Sequence, residues 1–252
     1  MSRRVLVAGN WKMFKHIAEA ADLVKALKPL VEGATGPEIV VCPPFTALVA
    51  TAVVAQGSNI AVGAQNCYPK ESGAFTGEIA PQMLTDAGCS WVIIGHSERR
   101  AIFNESDAFL NEKLRYALTT GLQVMFCVGE TLQERESGQM NAVLERQVTE
   151  GLKGLTEVHF DRVAIAYEPV WAIGTGVTAS PEQAEEAHAF VRGLVAKLHG
   201  AAVAEKVRIQ YGGSVKPDNA KELIAKPNVD GFLVGGASLQ AASFAAIVNA
   251  TA

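Results

Sequence analysis

The sequence has few cysteines, and no two of them are close together. The four are Cys42, Cys67, Cys89 and Cys127. Four cysteines without a Cys-x-x-Cys motif are too few for the disulfide framework of a secreted protein, so we expect a reduced protein in the cytoplasm. These cysteines and the five histidines show no paired ligand spacing, and we therefore expect no metal site.

An excess of basic residues is also missing. The chain has 22 Lys and Arg against 26 Asp and Glu, which gives a formal charge of −4. Nucleic-acid binding depends on basic side chains that neutralise phosphates, and no basic run is longer than a pair such as Arg99-Arg100. The expected partner is therefore a small molecule and not a nucleic acid.

Long apolar runs are absent as well. Prolines, glycines and polar residues interrupt the uncharged stretches 39–69 and 231–252, and the apolar run near the start covers only residues 5–9. A membrane helix needs about 20 predominantly apolar residues, and a signal peptide needs a core of roughly 7 to 15. We expect neither a membrane contact nor an export signal.

The overall composition is that of a folded domain. Apolar residues make up 49% of the chain and charged residues 19%, which is sufficient for one large core. Barrels that combine strands and helices commonly use roughly 200 to 250 residues as a single domain. We therefore expect residues 1–252 to form one domain.

Eight short apolar runs recur along the chain, each followed by a longer segment. Strands buried on both faces of a parallel sheet have continuous apolar sequences instead of alternating ones. The strands predicted in this way cover residues 5–8, 39–42, 60–63, 91–94, 124–128, 163–167, 207–211 and 231–234.

The segments between these runs carry helix signals, which are clearest at 180–200. Ser180 is a good cap, Pro181 fits the first turn and Gln183 completes a capping box. Further helices are predicted over 16–30, 46–55, 105–120, 139–153 and 237–249, with weaker signals at 78–87 and 216–224.

Strand and helix therefore alternate eight times, with about 31 residues per unit. This pattern predicts an α/β fold, a single (β/α)8 barrel with eight parallel strands and outer helices. The alternative is a doubly wound open sheet, but such sheets rarely have eight regular units without a second domain.

Polar residues follow the predicted strands at the end where a barrel carries its chemistry. Gly9-Asn10-Trp11-Lys12 places an amide beside an ammonium group, although a surface turn with a solvated lysine has the same pattern. His96 begins a polar run after the fourth strand, where a structural histidine is the alternative. Glu168 follows the sixth strand and is a candidate general base, with a salt bridge at the rim as the alternative.

The segment 169–181 has no charge, a proline at each end, and glycines at 174 and 176. This composition is typical of a lid that closes over a ligand. Residues 174–179 also match the dinucleotide fingerprint G-x-G-x-x-A. However, they do not directly follow a strand, and Glu182 and Glu185 lie well short of the expected 20 positions. We therefore expect no nucleotide site.

Glycine pairs follow the seventh and eighth strands, at Gly212-Gly213 and Gly235-Gly236. Glycine lets backbone N–H groups approach an anion, and the loops after these two strands commonly bind phosphate in barrels. Two tight turns are the alternative. Since the chain also lacks the G-x-S-x-G nucleophile motif, acid–base chemistry without a cofactor is expected.

These motifs together resemble those of the triosephosphate isomerase family, in order and over essentially the whole chain. The matching segments are Gly9-Asn-Trp-Lys-Met13, Gly95-His-Ser-Glu-Arg-Arg100, Ala166-Tyr-Glu-Pro-Val-Trp-Ala-Ile-Gly-Thr-Gly176, Tyr211-Gly-Gly-Ser-Val215 and Gly231-Phe-Leu-Val-Gly-Gly-Ala237. The resemblance implies a TIM barrel. It also implies the cofactor-independent interconversion of dihydroxyacetone phosphate and D-glyceraldehyde 3-phosphate, a step of glycolysis and gluconeogenesis.

The resemblance also implies roles for individual residues. Glu168 would remove the carbon-bound proton, neutral His96 would polarise the carbonyl and move protons between the enediolate oxygens with help from Asn10, and Lys12 would supply positive charge. The backbones implied to bind phosphate are those of Gly174, Ser214, Gly235 and Gly236. The implied supporting residues are Ser97, Glu98 and Cys127.

The segment 66–80 resembles the long third loop of the family, which contacts a partner subunit. The resemblance therefore implies a homodimer in which Thr76 lies near the other site. Phe14 stands where the family often has Asn, and Val177 stands where Lys is common. These departures bear on the interface and on the kinetics of the lid, respectively.

Two other functions share some of these features. A phosphate-binding barrel without turnover would lack one of Asn10, Lys12, His96 or Glu168, and all four are present. A different phosphosugar enzyme would share only the phosphate loops and would not account for the Asn-Trp-Lys and lid motifs.

Overall fold

The computed structural model describes residues 3–173 and 178–252. Within these ranges, eight parallel strands pair in chain order and close into a barrel. The strands are β1 (Leu6–Asn10), β2 (Glu38–Cys42), β3 (Ile60–Ala64), β4 (Trp91–Ile94), β5 (Gln123–Val128), β6 (Val163–Tyr167), β7 (Arg208–Tyr211) and β8 (Gly231–Val234). The predicted (β/α)8 barrel and its strands are confirmed, with strand ends that differ by one or two residues.

Strand β1 is longer than predicted at its carboxyl end, where the site lies. Gly9 pairs with Val41 and Asn10 with Cys42, so β2 extends the ladder through Asn10. Successive side chains of a strand point to opposite faces. Asn10 therefore shares the inward face of Leu6 and Ala8, which places its amide in the upper layer of the barrel.

The apolar side chains of the strands form two separate clusters. One lies inside the barrel and consists of Leu6, Ala8, Val40, Cys42, Trp91, Ile93, Met125, Cys127, Ala164, Ala166 and Leu233. The alternate side chains, among them Val7, Ile39, Val41 and Ile165, pack outward against the helices. Burial on both faces explains why the strand sequences are continuously apolar.

The helices surround this barrel. They are α1 (Ile17–Val31), α2 (Leu48–Ala55), α3 (Pro81–Asp86), α4 (Ser97–Ile102), α5 (Asp107–Thr119), α6 (Leu132–Glu136), α7 (Met140–Gly151), α8 (Pro181–His199), α9 (Ala201–Lys206), α10 (Ala220–Ile224) and α11 (Ala241–Asn249). Each predicted helical segment overlaps one of them. Helix α8 begins as predicted, with Ser180 Oγ accepting the Gln183 N–H at 3.2 Å.

Three short helices, α4, α6 and α9, are not predicted from the sequence. Helix α4 has the polar sequence Ser-Glu-Arg-Arg-Ala-Ile and no apolar stripe. A tertiary contact stabilises it, because Arg100 donates a hydrogen bond to the carbonyl oxygen of Cys127 at 3.0 Å, beside a local one to that of Gly95 at 2.8 Å. No local pattern records contacts of this kind.

All four cysteines are buried and unpaired. In the described ranges, no helix combines the length and the apolar composition that crossing a membrane requires.

Candidate active site

A cavity of about 400 Å³ opens at the carboxyl ends of the strands. Five loops contribute to it, which follow β1, β4, β6, β7 and β8. Its lining includes most of the predicted site residues, namely Asn10, Lys12, His96, Glu168, Ser214, Gly235 and Gly236, and also Phe14 and Gly212. The barrel therefore brings together residues that lie more than 200 positions apart in the chain.

Glu168 is only 2% exposed and continues the inward face of Ala164 and Ala166. One carboxylate oxygen lies 3.0 Å from His96 Nε2, and the other accepts the Ser97 N–H at 2.9 Å. Burial raises the pKa of Glu168, but His96, the Ser97 N–H and the Lys12 charge lower it more, so that it lies below its ordinary value. Glu168 is therefore an ionised carboxylate in a nearly dry position, and not a salt bridge at an exposed rim.

His96 caps helix α4, and its hydrogen bonds define its tautomer. Nδ1 accepts the Glu98 N–H at 3.2 Å, which only an unprotonated nitrogen can do. The ring proton then resides on Nε2, where it faces Glu168. Burial lowers the pKa of His96, but the Glu168 and Glu98 carboxylates raise it, and the net direction is upward while Glu168 lies against the ring.

Lys12 adopts a left-handed backbone conformation with φ of 51°. A non-glycine residue in this region costs about 1 kcal/mol or more, so neighbouring groups must stabilise it. The Lys12 N–H donates to Asn10 Oδ1 at 3.0 Å, and Gln65 Nε2 donates to the Lys12 carbonyl oxygen at 2.8 Å. Lys12 Nζ lies 2.7 Å from Glu98 Oε1, so the ammonium is paired at the site and is not freely solvated.

Gln65 was missed from the sequence, although one signal points to it. It is the first residue after β3, and the residues that follow other strands supply the rest of the site. Gln65 Nε2 also donates to the Cys42 carbonyl oxygen at 2.9 Å, so it connects the loop after β1 with the last residue of β2. Its observed role is to orient the Lys12 backbone.

The glycine pairs create space at the expected phosphate end. A Cβ on Gly212 would lie 2.9 Å from Glu168 Cγ, and one on Gly213 would overlap the Tyr211 hydroxyl. A short 3-10 turn begins at Gly236, and Gly235 directly precedes it. A side chain at Gly212 would therefore displace Glu168 and one at Gly213 would displace Tyr211, whereas a Cβ on Gly235 or Gly236 meets no tight contact.

The remaining predicted positions differ in how they relate to the cavity. Ser97 contributes its backbone N–H to Glu168. Cys127 is fully buried inside the barrel and does not line the cavity; burial and Glu168 raise its thiol pKa well above the ordinary value. Thr76 is exposed in the 66–80 loop and is not part of this chain's own cavity. Gly174 and Val177 lie outside the described residues.

Phe14 lines the cavity and is 57% exposed.

Among residues 3–173 and 178–252, no group of three or more His, Cys, Asp or Glu side chains is arranged to hold a metal ion. The site therefore offers a carboxylate, an imidazole, an amide and an ammonium group around one cavity.

Comparisons with known proteins agree with this arrangement. The family model for triosephosphate isomerase matches residues 5–251. The triosephosphate isomerases of Carboxydothermus hydrogenoformans and Geotalea uraniireducens are each 56% identical to this chain over 247 residues, which is 98% of both chains. That of Chloroflexus aurantiacus is 54% identical over 244 residues, 97% of this chain and 98% of the relative. The chain therefore belongs to the triosephosphate isomerase family.

Proposed function

We propose that Glu168 is the general base with which this enzyme interconverts dihydroxyacetone phosphate and D-glyceraldehyde 3-phosphate in glycolysis. The observation that carries this assignment is the ionised, buried Glu168 carboxylate that lies 3.0 Å from the His96 imidazole in the cavity. Isomerisation requires removal of a proton next to a carbonyl group, and a positioned carboxylate beside a proton donor supplies this chemistry.

The reaction needs both Glu168 and His96 to exchange their present partners. Glu168 leaves the Ser97 N–H and His96, takes the proton from one carbon of the substrate and returns it to the neighbouring carbon. His96 Nε2–H donates to the carbonyl oxygen and then accepts the proton of the adjacent hydroxyl. Each group ends the cycle with the protons it had at the start.

Movement of Glu168 also changes the electrostatics of His96. The Glu168 carboxylate is the larger of the two causes that raise the pKa of His96. Once it moves to the substrate, burial and the Glu98 N–H on Nδ1 both favour the neutral ring. A neutral imidazole can donate from Nε2 and then take a proton back, as the proposal requires.

Lys12 and Asn10 are the proposed electrostatic partners of the enediolate. Both line the cavity, and the hydrogen bond between them orients the Lys12 backbone at the site. Groups of this kind that face a developing charge contribute about 3 to 4 kcal/mol each in other enzymes. The backbones of Gly174, Ser214, Gly235 and Gly236 are the proposed phosphate-binding groups, with Ser97, Glu98 and Cys127 in support.

The direct test is turnover of dihydroxyacetone phosphate by the wild type and by Glu168→Gln, without metal or cofactor. The variant keeps the size of the side chain but cannot accept a proton from carbon. We expect kcat to fall by about 10²- to 10⁴-fold. The affinity for inorganic phosphate should change by less than about tenfold, or 1.4 kcal/mol, because the phosphate loops are unchanged.

Glu112→Gln on the exposed face of α5 is the matched control and should keep full activity. Equal loss of turnover and phosphate affinity in Glu168→Gln would assign Glu168 a structural role. A folded wild type that binds phosphate without turnover would be a non-catalytic phosphate-binding barrel and would end the proposal.

We also propose that the enzyme is a homodimer joined through the 66–80 loop, with Thr76 near the partner's site. Residues 70–78 are exposed in the single chain, as are the apolar side chains of Met13 and Phe14 beside the cavity. A partner surface would cover them. The four unpaired cysteines support the proposed cytoplasmic location, because thiols stay reduced there.

A further inference from the structure

Gln147 lies in helix α7, and its side chain is almost fully buried, with 5% exposed. Its carboxamide bonds both polar backbone groups of one residue: Oε1 accepts the Gly129 N–H at 2.8 Å, and Nε2 donates to the Gly129 carbonyl oxygen at 3.1 Å. Gly129 is the first residue after β5 and so lies beyond the strand ladder. Two parallel hydrogen bonds restrain both the position and the orientation of this residue.

Gly129 packs directly against the backbone of Glu168. A Cβ added to Gly129 would overlap the Glu168 carbonyl oxygen, so the two main chains are in closest contact. Val128, the residue before Gly129, also bonds the backbone of Glu168: its carbonyl oxygen accepts the Glu168 N–H at 2.7 Å. The residue after it, Glu130, accepts the Val170 N–H at 3.0 Å through its carbonyl oxygen. Residues 128–130 therefore support the main chain that carries Glu168.

A cavity of about 200 Å³ lies on this side of Glu168, and Gln147, Gly129 and Ser97 line it together with Glu168. It is distinct from the larger cavity that holds the proposed substrate site. The contacts that position the Glu168 main chain here are those with residues 128–130.

We propose that Gln147 is a positioning residue for the reaction: it fixes Gly129 and, through Gly129, the backbone of the general base. The inference rests on the proposed role of Glu168. Gln147 touches neither the substrate cavity nor the phosphate loops, so its effect is on the chemical step and not on phosphate binding.

The first test is Gln147→Met, which keeps the side-chain length but removes both hydrogen bonds. Misplacement of a catalytic group by about 1 Å costs up to roughly 10²-fold in rate, so we expect kcat for dihydroxyacetone phosphate to fall by about 10- to 100-fold. The inhibition constant of inorganic phosphate should stay at the wild-type value. A folded variant with wild-type kcat, or with kcat and phosphate affinity lowered together, would overturn the proposal.

The second test is Gln147→Glu, which has a pH signature. A protonated carboxyl presents a donor at one atom and an acceptor at the other, as the carboxamide does towards Gly129, whereas the ionised form has only acceptors and faces the Gly129 carbonyl oxygen. We expect kcat of this variant to be close to wild type at low pH and to fall as the introduced carboxyl ionises. Wild type and Gln147→Met should lack this change, and its absence in Gln147→Glu would contradict the role of the Nε2 donor.

Asn111→Leu is the matched control for a purely structural effect. Asn111 Nδ2 also donates two hydrogen bonds to backbone, at 2.8 Å to Gly151 and 2.9 Å to Lys153, but neither bond reaches residues 128–130. This variant should lose stability and keep the wild-type kcat; a loss of kcat equal to that of Gln147→Met would overturn the proposal. Failure of the Glu168 assignment is seen separately, as unchanged turnover in Glu168→Gln.

Discussion

Before substrate binds, the Glu168 carboxylate and the His96 imidazole are each other's hydrogen-bond partners. Their hydrogen bond and the one from the Ser97 N–H involve a charged group, and such bonds contribute about 1.5 to 3 kcal/mol each. Substrate must replace these interactions when Glu168 turns to the carbon atom. The arrangement holds the base ionised and ready, at a cost that substrate binding has to offset.

A second histidine of the chain, His188 in α8, has the opposite environment. It is fully buried, and the ring centroids of Tyr167 and Tyr211 lie 5.7 and 6.3 Å from its own. Nδ1 lies 3.1 Å from the Asn228 carbonyl oxygen. Burial and the charge of Arg192 lower the pKa of His188 from 6.5 to about 3, although Asn228 acts against them. His188 is therefore neutral in the folded protein.

This difference predicts a pH dependence of stability. Between about pH 6.5 and 3 the unfolded chain binds a proton at His188 that the folded chain does not, so the free energy of unfolding falls as pH falls. The contribution is at most about 1.4 kcal/mol per pH unit. In His188→Phe this contribution is absent, and urea denaturation at pH 4 to 7 should show a shallower dependence than in wild type. An equal slope in wild type and His188→Phe would contradict a neutral His188.

At the scale of elements, the helices that the sequence predicts are those with local signals. Helix α8 has a capping box at Ser180 and Gln183, with bonds of 3.2 and 2.9 Å between them, and a buried stripe that includes Ala187 and Val191. Helix α4 has neither an apolar stripe nor a standard cap residue, since His96 caps it. Prediction succeeds for α8, which its own residues specify, and fails for α4, which another part of the fold stabilises. Helix α6 is also not predicted, although Thr131 and Glu134 form a local capping box.

We expect alanine substitutions at the N-terminal cap and in the middle of α8 to have opposite effects on the free energy of unfolding. Ser180→Ala removes the acceptor for the Gln183 N–H and should lower the free energy of unfolding by about 1 kcal/mol. Gly193 is exposed in the helix interior, and a Cβ there would meet no neighbouring group within 4 Å, so Gly193→Ala should raise it by about 0.5 to 1 kcal/mol. Urea denaturation of both variants measures the two values. Changes of the same sign would contradict the capping argument.

At the scale of the whole molecule, the ring of eight strands makes each strand depend on both neighbours. Strand β1 pairs with β2 on one side and with β8 on the other, so the two ends of the chain meet in one sheet. We propose on this basis that residues 1–252 form a single domain. The site is assembled from loops at one end of this ring, and its geometry depends on closure of the barrel.

The proposed homodimer gives a prediction at the same scale. Thr76→Arg puts a long, charged side chain into the exposed 66–80 loop, where we expect it to be incompatible with a close subunit contact. Sedimentation equilibrium should show a dimer for wild type and a monomer for the variant, with a lower kcat. Thr35→Arg, also at an exposed threonine, should stay dimeric. A monomeric wild type, or a fully dimeric and active Thr76→Arg, would refute the proposed interface.

The sequence by itself determined the class of fold and the order of its elements, because strand burial, helix caps and turn glycines are properties of short segments. It also placed Asn10, His96 and Glu168 after three different strands, with a family resemblance that indicated their roles. Only the tertiary structure decided which groups meet: that Ser97 bonds Glu168 through its backbone, that Gln65 orients Lys12, and that Gln147 holds Gly129. These contacts join residues 18 to 71 positions apart, and the packing of strands, loops and helices in the barrel brings them together. No local pattern in the chain encodes those distances.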